Sequence, residues 1–205
     1  MKTIFCLAFL AVAANATTVY VDSDALTTAN NSGFGTVDLS GTLNPNPLWA
    51  AALPGSDWIS YGPTGSNTDP GYFSPPNGTV VTFTTLFTVT GPITTASLLV
   101  LADDTTSVVL NGHTLIAANL TPGTACANAP VGCLTSTEEV FNFAELAPYL
   151  VDGANELSFA VVQVGGSSFG LDFAGSVDPA PTPEPSTVAF LGAGLAALVS
   201  RRRRT

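Results

Sequence analysis

The hydrophobic pattern of this chain changes period and density several times, and those changes outline its elements. Val81, Phe83, Phe87 and Val89 fall at alternate positions with Thr between them, the signature of a strand buried on one face. Leu98–Ala102 is apolar at every position, which predicts a strand in the middle of a sandwich, covered on both faces. Ser107–Leu110 and His113–Ile116 flank Asn111-Gly112, a strong two-residue hairpin signal. Further strands are predicted at Thr18–Val21, Val140–Phe143, Leu157–Val162 and Leu171–Val177. Gly33–Tyr72 is rich in Gly, Pro, Asn and Ser, and predicts long loops around one or two short strands such as Trp58–Tyr61. Leu146–Leu150, with Pro148 inside it, supports a helical turn at most. No stretch has the length and period of a major helix. The sum is an all-β sandwich of about eight to ten strands over residues 17–178.

The two ends follow different rules. Lys2, an apolar run from Ile4 to Ala14 and Ala14-Asn15-Ala16 predict a signal peptide over 1–16, cut after Ala16. Cys6 leaves with it. At the other end, residues 179–187 form a proline-rich linker containing Pro183-Glu184-Pro185. A short transmembrane helix is predicted over 188–200, followed by an Arg-rich cytoplasmic tail over 201–205. At about 1.5 Å per residue the apolar run Val188–Val199 spans about 18 Å, against about 30 Å of bilayer hydrocarbon. Such a helix suits transient insertion in the inner membrane better than a lasting anchor.

These last residues resemble the PEP-CTERM sorting signal of Gram-negative bacteria. The match rests on Pro183, Glu184 and Pro185, the short apolar helix, and Arg201, Arg202, Arg203 and Arg204, in that order. The resemblance implies recognition by a membrane-embedded exosortase after export by the secretion machinery. It further implies cutting near the Pro-Glu-Pro, with the mature domain delivered to the cell surface or released outside.

Charge sharpens the picture. The chain has five Lys plus Arg and fifteen Asp plus Glu, for a net charge of −10. All five basic residues, Lys2 and Arg201–Arg204, lie in the two terminal segments. The stretch from Thr17 to Thr182 holds every acid except Glu184, hence fourteen of the fifteen, and neither Lys nor Arg. A domain without basic side chains cannot displace counterions from a phosphate backbone, which excludes nucleic acid as a partner. Calcium becomes the natural ionic partner. Cys126 and Cys133 remain as an even pair in an exported domain and predict a disulfide, with loop-closure entropy of about 2–3 kcal/mol.

The run Leu99-Val100-Leu101-Ala102-Asp103-Asp104, the following Val108–Gly112 and the later Gly153-x-Asn155-x-Leu157-x-Phe159 resemble the galactose-binding-like jelly roll. That resemblance implies a fold used for sugar binding, adhesion and structural roles, and one that often holds a structural calcium. Asp22 and Asp24, after the first strand, and Asp172 and Asp178, on and after the last, are the candidate calcium ligands. Trp49, Trp58, Tyr61 and Tyr72 are the candidates for stacking on sugar rings of an extracellular polysaccharide, with core packing beneath the long loops favoured for at least one of the tryptophans.

Catalytic signals are weak. His113 is the only histidine, on a predicted strand. Gly166-Ser167-Ser168-Phe169-Gly170 has the G-x-S-x-G pattern but runs into a strand where a nucleophile elbow needs a helix. Asp103-Asp104 and Glu138-Glu139 are adjacent, and neighbours on a strand face opposite ways, so neither pair is expected to work together. The expectation is therefore a non-catalytic exported surface or matrix protein. A carbohydrate-binding module is the first alternative and a secreted hydrolase the second.

Overall fold

The computed structural model describes residues 16–121, 130–181 and 191–195. The signal peptide, except for Ala16, lies outside these residues. So do Cys126, the Pro-Glu-Pro motif, the four arginines and most of the expected transmembrane segment. Residues 191–195 form a helical turn, and no described helix is long and apolar enough to cross a membrane.

Thr18–Pro179 is one compact unit. Its elements are β1 (Val19–Asp22), β2 (Ala29–Asn30), β3 (Val37–Asp38), β4 (Ile59–Ser60), β5 (Val80–Val89), β6 (Ile93–Asp103), β7 (Thr105–Leu110), β8 (His113–Ile116), β9 (Glu139–Phe141), the single-turn helix α1 (Phe143–Leu146), β10 (Gly153–Val162) and β11 (Gly170–Pro179). Two antiparallel sheets result. The first runs β3-β4-β11-β6-β9, with β1 also paired to β11; the second runs β2-β5-β10-β7-β8. This is the predicted all-β sandwich. β11 extends to Pro179, the first residue of the expected linker.

The core forms where the inward faces meet. Val81, Phe83 and Val89 of β5 and Leu157, Phe159 and Val161 of β10 face Leu98, Val100 and Ala102 of β6 and Leu171, Phe173 and Val177 of β11. Phe159 stacks on Phe173 across the gap, with ring centroids 4.4 Å apart.

A second apolar layer covers the outer face of the first sheet. The remaining β6 positions, Leu99 and Leu101, pack with Leu39, Trp49, Leu53, Trp58, Cys133 and Ala174. The unbroken apolar run predicted at Leu98–Ala102 is thus two interleaved faces, each with its own cluster. Long loops, not strands, supply the cover, which is why Gly33–Tyr72 carries its large side chains between turn residues.

The Asn111-Gly112 hairpin forms as predicted. Both residues adopt the positive φ (50° and 79°) that this two-residue turn requires. The Asn111 side chain also donates to Tyr149 O and to Asn155 Oδ1, and accepts from Glu156 N. Asn155, fully buried, donates to the Val151 and Gly153 carbonyls. The two motifs that resemble the galactose-binding-like pattern therefore meet and fasten the hairpin to the start of β10.

Candidate functional site

The side chains proposed for calcium do not form one set. Asp172 and Asp178 lie on one extended strand six residues apart, which at about 3.3 Å per residue is about 20 Å. Each carboxylate has local partners instead. Asp172 is fully buried on the outer face of the first sheet and accepts from Leu53 N (2.8 Å), Ser23 Oγ (3.0 Å) and Ser56 Oγ. Burial raises its pKa, against the downward pull of the Ser56, Leu53 and Ser23 hydrogen bonds. Asp22 accepts from Gly175 N, Asp24 caps Leu26 N, and Asp178 accepts from Thr18 and Thr95. Among the described residues, no three His, Cys, Asp or Glu side chains converge. The reason is topological: pairing β1 with β11 brings their backbones together but spreads these carboxylates along the strand.

The aromatic candidates separate into two groups. Trp49 is 8% exposed and Trp58 is fully buried, their rings tilted against each other with centroids 4.3 Å apart. Trp58 Nε1 donates to Ala50 O (3.1 Å) and Trp49 Nε1 to Asp103 Oδ2 (2.7 Å). Both are core side chains, so the sugar-stacking expectation fails for them. Tyr61 is half-buried and sits among Phe34, Phe73 and Phe169, with centroids 6.3, 5.6 and 5.5 Å away. Phe34 is 66% exposed, so this cluster shows an aromatic face to solvent. Tyr72 is half-buried, its hydroxyl paired with Ser74.

The other sequence candidates are structural in their contacts. His113 is exposed and stacked on Tyr149 at 4.6 Å. Beside that pair lies a 260 Å³ depression lined by Thr114, Leu115, Phe141, Glu145 and Tyr149, among others. Ser168 is buried in the loop entering β11, donating to Gly65 O and accepting from Asn46 Nδ2, so it is no elbow nucleophile. Cys133 is fully buried and disulfide-bonded, with its expected partner Cys126 outside the described residues.

One grouping was not foreseen. Asp103 ends β6 and Asp104 lies in the bend before β7, where strand alternation stops. Their peptide bond is cis, and the two carboxyl groups are in hydrogen-bonding contact. Both residues are 2% exposed. Asp104 Oδ2 accepts from Val164 N (2.6 Å), while Asp103 Oδ1 is buried without a hydrogen-bond donor. Burial, then the neighbouring Asp104 carboxyl, pushes the Asp103 pKa well above the usual carboxylate range; burial also raises Asp104. The expectation that these neighbours face opposite ways is therefore wrong. The sequence signal for it was available: two acids at the end of an otherwise wholly apolar run.

A search of curated protein sequences returned no match. Among solved structures, a family 35 carbohydrate binding module from Clostridium thermocellum is similar at 11% identity and a TM-score of 0.39, covering 77% of this chain and 97% of that one. A family 35 module from an environmental isolate aligns at 12% identity and a TM-score of 0.31, covering 76% and 98%. An α-L-rhamnosidase from Streptomyces avermitilis aligns at 18% identity and a TM-score of 0.45, covering 80% of this chain but only 12% of the enzyme. Residues 181–204 match the model of the PEP-CTERM protein-sorting motif, so the chain carries that motif at its C-terminal end.

Proposed function

We propose that this chain is a non-catalytic protein of the cell surface or extracellular matrix, held briefly in the inner membrane and processed there by an exosortase. The observation that carries the reading is the sorting motif over 181–204, following a domain without Lys or Arg. The non-catalytic part is supported by the occupations of the candidate groups: Ser168 and Asp172 are tied into loop anchoring, and His113 into a ring stack. The disulfide is assigned to Cys126 and Cys133, closing a short loop in an oxidising compartment.

Fractionation in a host that possesses an exosortase tests the sorting. Wild-type protein should be shorter than the precursor and lack its arginines. Replacing Pro183, Glu184 and Pro185 together by Ala leaves helix and charge intact, and should trap the full-length chain in the inner membrane. An ordinary tail anchor would ignore that replacement, and stable wild-type protein still carrying Arg204 would defeat the reading.

A second reading, a carbohydrate-binding module at the same location, is favoured by the exposed rings of Phe34 and Phe73 around Tyr61. Aromatic faces open to solvent suit the apolar faces of sugar rings. Retention on insoluble polysaccharides, lost in Phe34→Ala but kept in Leu26→Ala, would establish it; no retention on any glycan would dismiss it.

A further inference from the structure

We propose that the outer face of the second sheet is where two copies of this chain meet, sheet against sheet and reversibly. This goes beyond the sorting reading and does not depend on it.

Charge marks the face. Residues 17–182 hold fourteen carboxylates and neither Lys nor Arg. Glu156 is the one that lies on a strand of the second sheet; all the others belong to the first sheet, α1 and the loops. Two copies of the domain that met through those other surfaces would set carboxylate against carboxylate, with no basic side chain of the domain between them. Like charges repel, so approach through the second sheet is the least opposed.

Shape agrees with charge. The registers place Thr84 beside Ser158 and Val109, and Thr82 beside Ala160 and Ser107, across β5, β10 and β7. All six are half-buried on the outward side and none is larger than valine, so the centre of the face is flat. Leu86 (72% exposed) and Val80 (56% exposed) stand along β5 on either side of that centre. On this side β5, β10 and β7 carry no aromatic ring or amide to hold a sugar, and no basic group to hold an anion. What fits is another flat sheet of small side chains at about 10 Å, and a second copy supplies one.

A twofold axis running across the strands carries the two Glu156 side chains to opposite ends of the contact. At about 3.3 Å per residue from the centre they lie about 20 Å apart, beyond the screening length at physiological salt. Strands β5, β10, β7 and β8, of ten, ten, six and four residues, pave about 500 Å². Two such faces bury about 1,000 Å², the size of a weak, reversible contact and not of a permanent dimer.

Sedimentation equilibrium of the full chain, in density-matched detergent and at rising concentration, tests the proposal. The protein mass should rise from one chain to two, and more readily in added salt, which screens repulsion between the acidic domains. Ala160→Glu sets two carboxylates against each other inside the contact and should weaken association by about tenfold or more. Leu86→Glu, at an exposed position, should act in the same direction and decides the matter if Ala160→Glu fails to fold. Tyr20→Glu adds the same charge on β1 of the first sheet, at a position 72% exposed, and should leave association unchanged. A single-chain mass up to millimolar concentration, a dimer indifferent to Ala160→Glu or Leu86→Glu in a folded protein, or equal weakening by Tyr20→Glu would each overturn the proposal. Dissociation by salt would overturn it too, in favour of contacts between the arginine tails and the acidic surfaces. A monomer retained on a polysaccharide, and released by Ala160→Glu, would give the face to a glycan instead.

Discussion

The two sheets of this sandwich are built from similar strands but have different surroundings. In the second sheet β10 alternates buried and half-exposed positions along its length, and its outer face, with Thr82, Thr84, Leu86 and Glu156, meets solvent. In the first sheet β11 is buried at almost every position, because loops carrying Leu39, Trp49, Leu53 and Trp58 roof its outer face. Sequence period reports burial on one face. It says nothing about a cover made of loops, and the cover is where this chain places its tryptophans and its buried acids.

If the roof is true core, removing its central ring should cost as much as removing one between the sheets. Trp58→Ala and Phe159→Ala are each expected to lose about 3–5 kcal/mol in urea denaturation. A cost below about 1 kcal/mol for Trp58→Ala alone would reduce the roof to a loose lid. The next effect is smaller. Asp172→Asn keeps one acceptor but loses another, leaving Leu53 N unpaired or sending the Ser23 and Ser56 hydroxyls to their other acceptors, the Asp57, Phe173 and Leu53 carbonyls; about 1–3 kcal/mol follows.

The same substitution should alter the pH profile. Asp172 has its folded-state pKa raised, so between the unfolded and folded values the native state holds more protons. Stability contributed by this group therefore falls as pH rises from about 4, and the loss is complete above the folded pKa. Melting curves across pH should show a shallower decline in Asp172→Asn than in wild type; an unchanged slope would mean that Asp172 ionises without penalty. The smallest effect belongs to the open face of the second sheet. Leu86→Thr, at a position 72% exposed, should shift stability by no more than about 0.5 kcal/mol.

The strands with a clear period were legible, and so was the hairpin, because Asn111-Gly112 states its own backbone conformation. Leu98–Ala102 was legible as doubly buried, though not what buried its outer side. The short strands β2 and β3 left no pattern, since two residues cannot show a period. Asp22, Asp24, Asp172 and Asp178 do not converge because closeness in strand order is not closeness of carboxyls. Asp103 and Asp104 were dismissed by extending strand alternation one residue past the strand's end. Core packing was already legible as one of two roles for Trp49 and Trp58, and the register of Gly170 against Asp103 shows why such large rings fit there.

The outermost strands of both sheets are brief: β3 and β2 have two residues each, β9 three and β8 four. An exposed edge offers unpaired amides and carbonyls to any neighbouring chain, and long flat edges zip copies together into fibrils. Edges this short give a second copy too few rungs to hold. Of the long strands, β10 and β11 lie inside their sheets, while the outer edges of β5 and β6 are paired over only two and three residues, by β2 and β9. A backbone ladder between copies would therefore have to form on the lengths of β5 and β6 that β2 and β9 leave unpaired, and any other assembly of this domain has to be built through side chains.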